Sequence, residues 1–247
     1  MIEHRVTING IGVCARYTES AAEKVFLLFL QKLTALKKAK GRRILVMLAA
    51  PPGAGKTTLS TFLSRLSRER EGVSPVQAIG MDGFHRRQAY LISHSALRDG
   101  KRVPMVEVKG APETFDLEKL TEAVKKAASG EKCPWPSYDR LLHDPVENAL
   151  TVDGDIVLLE GNYLLLDEDG WRDLKAFADY TVSVRSGESL LRARLIDRRM
   201  KTGVDRERAV RFVDFSDMPN VKLCLEKSLP ADLRLVLGPD GDYSEDI

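Results

Sequence analysis

Gly53-Ala54-Gly55-Lys56-Thr57-Thr58 places two glycines, a lysine and two hydroxyls in consecutive positions. Backbone N–H groups converging in a small-residue turn bind phosphate, the lysine reaches the terminal phosphates of a polyphosphate, and the following hydroxyl ligates Mg²⁺. Gly53, Ala54, Gly55, Lys56, Thr57 and Thr58 are therefore the candidate nucleotide-binding residues, with Thr57 also a metal ligand. The flanks agree. Residues 44–48 are a continuous apolar run, and Leu59, Phe62, Leu63 and Leu66 recur at helical spacing, giving the strand, loop and helix start that a P-loop (Walker A) requires. Ala50 stands where the usual motif has its first glycine. Alanine disfavours positive φ, so the loop entry is expected in an ordinary conformation, helped by Pro51 and Pro52.

Two carboxylates follow at strand ends. Asp82 comes directly after the strand pattern of residues 73–79, in the position where open α/β sheets hold ligands; a helix-capping aspartate is the other reading. Glu160 closes the apolar run of residues 155–159, the place of an acidic residue that holds Mg²⁺ through water. His85 and His94 read equally as substrate contacts or as surface residues. Residues 133–145 hold Trp135, Tyr138, two aspartates, Arg140 and His143 between prolines, and read as a rigid loop that aims side chains at a ligand. Residues 188–203 carry Arg192, Arg194, Arg198, Arg199 and Lys201, and a second helical stretch starts at Asp205. Two basic helices joined at Gly203 suit a lid over phosphates, or a solvated face.

The elements that must position these groups are legible as patterns. Residues 5–17 alternate around Asn9-Gly10, a hairpin signal. The hairpin's edges could pair with a second copy of the chain to give a homodimer, or extend the domain's own sheet. Residues 19–40 space Ala22, Val25, Phe26, Phe29, Leu30, Leu33 and Leu36 for a helix ended by Gly41. Residues 86–115 read as a loop-rich segment closing over substrate, and Asp116 as the N-cap of a helix ended by Gly130. With strands also at residues 180–184 and 233–237, five strands separated by helices predict an α/β fold with a parallel sheet covered on both faces. The acidic, polar residues 239–247 read as a frayed tail.

The chain of 247 residues carries 38 basic and 36 acidic side chains, for a net charge of +2. That balance argues against nucleic acid or an anionic membrane as partner. Three isolated cysteines, no membrane-length apolar run and no basic-then-apolar start predict a cytoplasmic protein with reduced thiols.

Taken in order from about Arg42 to Leu237, these motifs resemble the P-loop kinases of small metabolites, the group of type I pantothenate kinase, uridine kinase and phosphoribulokinase. Asp82-Gly83-Phe84-His85 looks like the segment holding the catalytic aspartate, and the stretch from Lys109 to Asp116 like its lysine-glycine substrate segment. Tyr138-Asp139-Arg140 with His143 resembles an acceptor-contacting set, Leu158-Leu159-Glu160-Gly161 a Walker B ending, and Arg194-Leu195 with Arg198 an arginine-rich lid, although Asp197 stands where uridine kinases commonly carry arginine. The overall pattern is similar to bacterial proteins labelled nucleoside/nucleotide kinase family or fructose transport system kinase. The resemblance implies a hairpin and helix in residues 1–40, a P-loop kinase domain in 41–238 with a lid at about 190–218, and the polar tail.

It also implies ATP and Mg²⁺ as cofactors and a small hydroxyl compound as acceptor: a sugar such as fructose, a nucleoside or a pantothenate-like molecule. Lys56, Asp82, Arg194 and Arg198 are then the catalytic candidates, Thr57 and Glu160 the metal ligands, and His85, Lys109, Tyr138, Arg140 and His143 the acceptor contacts. An ATPase switch acting on a protein partner is the competing class, and a P-loop scaffold without catalysis a third.

Overall fold

The computed structural model describes all residues except 9, 10, 99, 141 and 247. Strands β1 (Ile2–Ile8) and β2 (Ile11–Tyr17) pair antiparallel, with Ile8 opposite Ile11; their Asn9-Gly10 turn lies outside the described residues. Helix α1 (residues 19–40) follows, N-capped by the Thr18 hydroxyl and ended by Gly41 at φ 64°, with a π-helical turn at Ala22–Phe26. Next come β3 (Ile44–Ala49), α2 (Lys56–Glu69), β4 (Val76–Gly80), the short α3 (Gln88–Ser93) and a small antiparallel pair, β5 (Ser95–Arg98) and β6 (Lys101–Pro104). Residues 86–115 thus hold more ordered structure than the expected open loop, because β5 and β6 bury Ala96 and pack Val103 against a small core with Val108 and Ala111. Asp99, at their connection, lies outside the described residues.

Helix α4 (Leu117–Ser129) is capped by the Asp116 carboxylate, which accepts from the Lys119 amide, and ends at Gly130 with φ 88°. The segment read as a rigid loop is a hairpin: β7 (Cys133–Asp139) pairs antiparallel with β8 (Asp144–Val152). Pro134 and Pro136 are tolerated because β7 has a partner on one side only, and the register shifts between Trp135 and Ser137. The remaining elements are β9 (Ile156–Gly161), β10 (Tyr180–Arg185), α5 (Glu188–Met200), α6 (residues 206–226, with a π-helical turn at Val213–Asp217), β11 (Leu233–Leu237) and β12 (Tyr243–Glu245).

The main sheet has the order β12-β11-β10-β3-β9-β4. Its five parallel members are those expected; the sixth corrects the reading of the tail. Residues 243–245 run antiparallel to β11, with Leu237 opposite Tyr243. Two things hold the segment: ladder hydrogen bonds at an otherwise open sheet edge, and burial of the Tyr243 ring with Tyr17 and Phe26. Acidic composition alone hid this.

Strands β3 and β9 are buried along their whole length, which is why they read as unbroken apolar runs. One face packs on α1, α2 and α5 through Leu30, Phe62 and Leu191; the other packs on α4 and β7 through Leu120, Val124 and Trp135. The N-terminal hairpin joins the first face: Tyr17 stacks on Phe62 at 4.3 Å, and the His4 ring meets Phe62 edge-on at 5.5 Å. Register sets the next level of structure. Leu48 and Gly80 both lie opposite Glu160, so the P-loop entry, Glu160 and the segment leading to Asp82 emerge side by side at one edge.

Candidate active site

The loop between β3 and α2 requires glycine at two places, Gly53 at φ 85° and Gly55 at φ 82°. Alanine serves at position 50 because the entry keeps negative φ: the described non-glycine residues with positive φ are His143 and Asn148. A Cβ on Gly53 would stand 3.1 Å from the Leu191 carbonyl, and one on Gly55 3.2 Å from Arg194 Nη2. Helix α5 therefore lies against the loop and brings Arg194 to it.

Thr57 Oγ1 donates to Glu160 Oε1 at 2.7 Å. Glu160 Oε2 is buried and, among the described residues, has no hydrogen-bond partner. A bare buried carboxylate oxygen calls for a proton, a water or a cation. Burial raises the Glu160 carboxyl to about 7, with Lys56 pulling it down and Asp82 pushing it up. Thr57 and Glu160 thus fit a hydrated Mg²⁺, whose arrival would displace that proton.

Asp82 sits two residues beyond β4 in a short 3₁₀ turn. Burial works to raise its carboxyl, but His85 when protonated, Lys56, Arg140 and Arg198 outweigh it and hold it below the usual aspartate value. Asp82 is an anion ready to accept a proton or a hydrogen bond, and it lies inside the turn, whose N-cap position is Gly80. The turn is clamped by β7. Trp135 Nε1 donates to the Gly80 carbonyl at 2.8 Å, and Trp135 meets Phe84 edge-on at 4.9 Å. A Cβ on Gly83 would come within 2.9 Å of Ser137 N and closer still to the Pro136 carbonyl. Those are backbone atoms that cannot swing away. Gly83→Ala is expected to cost about 1–3 kcal/mol of stability by overpacking and to lower turnover by pushing Asp82 off its neighbours; thermal melting and kcat measured together test both.

The acceptor candidates also assemble. His85 packs on Phe115 at 3.9 Å and on Tyr138 at 5.1 Å between ring centres. Its Nδ1 lies 2.8 Å from the Asp82 carbonyl, which can only accept, so Nδ1 carries hydrogen. Burial lowers the His85 pKa, favouring the neutral ring. Lys109 Nζ stands 5.1 Å from the Tyr138 ring centre and donates to Gln88 Oε1 and the His143 carbonyl, both at 2.8 Å. His143 thus enters through its backbone at φ 55°, and its side chain is exposed. His94 is exposed as well, stacked on Tyr90 at 3.7 Å, and it takes no part in this group.

Arg194 and Arg198, one turn apart on α5, have different neighbours. Arg194 borders Gly55 and the Tyr243 hydroxyl, whereas Arg198 has Asp217, Arg140 and Asp82 as its electrostatic partners. Arg198 is exposed to water, so its attraction to Asp217, on the adjoining α6, is screened. Asp197, the residue before Arg198, is exposed and pairs with Lys201 at 2.7 Å. Arg192 is bound to Asp214 by two hydrogen bonds, 2.6 and 2.8 Å, and Arg199 lies 3.3 Å over the Phe212 ring; both join α5 to α6.

Sequence reasoning missed Asp217, Trp135 as a clamp, and Tyr243. Asp217 had a signal, as an acid three residues after Asp214 in a basic segment; Tyr243 had none. Cavities of about 660 Å³, from Ala50 along Arg185 to Asp232, and about 780 Å³, between Glu113, Trp171 and Asn220, are not lined by Lys56 or Asp82. The reactive groups gather instead beyond the C-terminal ends of β3, β9 and β4.

The model of the phosphoribulokinase/uridine kinase family matches residues 45–240, which span the P-loop, Asp82, Glu160 and helices α5 and α6. The chain belongs to that family. This phosphoribulokinase/uridine kinase family member is 39% identical over 239 residues to the uncharacterized protein YggC of Escherichia coli, covering 96% of this chain and 97% of that one. It is 32% identical over 201 residues to a protein of Schizosaccharomyces pombe named "putative uridine kinase", covering 78% of this chain and 83% of the other. Among solved structures, one from Silicibacter sp. TM1040 named "putative fructose transport system kinase" superposes with a TM-score of 0.73 at 31% identity, covering 83% of this chain and 98% of that one. The family member is a small-molecule kinase, a phosphotransferase with a hydroxyl acceptor, and its family implies ATP. Among the described residues no helix is long and apolar enough to cross a membrane.

Proposed function

We propose that this kinase moves the γ-phosphoryl group of MgATP to a hydroxyl of a small polar metabolite, with Asp82 as the acceptor-side base. The observation that carries the reading is the meeting of Lys56, Asp82 and Glu160 beyond three adjoining strand ends, with Arg140, just past β7, near enough to act with Lys56 on both carboxylates. Lys56 and the amides of Gly53 to Thr58 hold the phosphates, and Thr57 with Glu160 holds Mg²⁺ through water. Bound there, Mg²⁺ would offset charge growing on the β–γ bridge. His85, Tyr138 and Arg140, braced by Lys109 and the His143 carbonyl, bound the acceptor pocket.

The acceptor oxygen bonds to the γ-phosphorus as that phosphorus parts from the bridging oxygen. The hydroxyl proton passes to Asp82, and the bridging oxygen leaves with ADP. Arg198 faces the side where this exchange happens and steadies the phosphoryl oxygens, while Arg194 holds the nucleotide from the Gly55 side. The remaining work is alignment, which phosphoryl transfer chiefly needs.

The neighbours' names place uridine and fructose among the acceptors to try, and a pantothenate-like carboxylate suits Arg140. The test is ADP release from MgATP by the purified protein, screened over ketoses, aldoses, nucleosides, pantothenate and their phosphates. One compound raising turnover far above hydrolysis is the expected result. Stimulation by a macromolecule and by none of these compounds would overturn the reading.

A further inference from the structure

The last strand reaches into the nucleotide loop. Tyr243 is 6% exposed, and its hydroxyl donates to the Ala54 carbonyl at 2.8 Å. Ala54 has no exposed surface, so water cannot replace that bond. A peptide unit is planar and trans, with its C=O and N–H pointing opposite ways. Holding the Ala54 carbonyl back therefore fixes the Gly55 N–H in the forward direction, into the cradle. The hydroxyl also borders Arg194: a Cβ on Gly55 would lie 3.4 Å from Tyr243 Oη and 3.2 Å from Arg194 Nη2.

The ring itself is held from the other side. It packs against Phe26 at 5.7 Å and Tyr17 at 6.1 Å, and the neighbouring Asp242 carboxylate accepts from the Thr18 hydroxyl that caps α1. The hairpin, α1 and β12 thus form a support behind the loop, with one polar contact passing through it to the loop backbone.

We propose that Tyr243 is a positioning residue of the nucleotide site: its hydroxyl sets the Ala54–Gly55 peptide so that the loop meets the phosphates already in shape. This rests on the reading of the loop as a nucleotide site. Because the hydroxyl touches no substrate, it acts through preorganisation, and it should be felt in nucleotide affinity before any acceptor is present.

The experiment is calorimetry of MgADP binding to the full chain as wild type, Tyr243→Phe and Asp242→Asn, each with a thermal melt. Tyr243→Phe keeps the ring and should weaken MgADP about five- to tenfold, the effect of one hydrogen bond lost at a buried carbonyl. Asp242→Asn perturbs the residue just before that strand, where its carboxylate meets Thr18 and not the loop, and should lower the melting temperature while leaving affinity unchanged. Linkage adds a second readout: MgADP should slow hydrogen exchange of the 243–245 amides in the wild type, and do so less in Tyr243→Phe. Equal MgADP affinity in wild type and Tyr243→Phe overturns the proposal, as does an affinity loss of the same size in Asp242→Asn. A wild type that binds no MgADP overturns the reading of the loop itself.

Discussion

Asp82→Asn should leave a folded protein that binds MgATP nearly as before and scarcely turns over acceptor. The change preserves shape and one acceptor oxygen but removes the negative charge and the ability to take a proton. Loss of a positioned base typically costs about a hundred- to ten-thousand-fold in rate. The surroundings sharpen the expectation. His85 when protonated, Lys56, Arg140 and Arg198 are the groups that hold Asp82 in its ionised form against burial. Because its pKa lies below the ordinary aspartate value, the acid limb of the wild-type kcat/KM profile should not come from Asp82. Steady-state kinetics with the acceptor found by screening, beside MgATP binding, decide the matter. Full turnover in Asp82→Asn would remove Asp82 as the base and with it the placement of the acceptor pocket.

Arg198→Ala and Arg194→Ala should separate rate from binding. Arg198 faces Asp82 and Arg140, so its loss should act on the charge that spreads over the phosphoryl oxygens in transit, lowering kcat about a hundred- to thousandfold with little change in MgATP affinity. Arg194 lies against Gly55, on the nucleotide's side, so its loss should raise the KM for MgATP more than it lowers kcat. The pair of measurements is informative because the two arginines are one helical turn apart on α5. If both variants lose kcat equally, the division of labour read from their directions is wrong.

Much of this site was legible because its residues obey strong local rules. Lys56 and Thr57 follow glycines that must take positive φ, and β3 and β9 are apolar throughout because both faces are covered. Asp82 and Glu160 were found from their place after such strands. What failed to show was long-range or mixed in pattern. Cys133-Pro134-Trp135-Pro136 looks like a loop because prolines forbid a central strand, yet a two-stranded ribbon with a register shift accepts them. Residues 243–245 are too short for periodicity to register, and their partner is set by β11 and by rings from residues 17 and 26. Nothing local distinguishes Arg194 from Arg198. Only the packing of α5 against the loop does, through Leu191, Arg194 and Leu195.

The contact between Tyr243 and Ala54 joins groups 189 residues apart, and that between Asp242 and Thr18 joins groups 224 apart. A chain emerging from the ribosome has its P-loop sequence, β9 and helices α5 and α6 in hand long before Tyr243 is made. Contacts of such separation carry the largest loop-closure cost and form late. The phosphate cradle is therefore among the last parts of the molecule to take its final shape, and a partly synthesised chain that already buries most of its sheet is still without a finished nucleotide site.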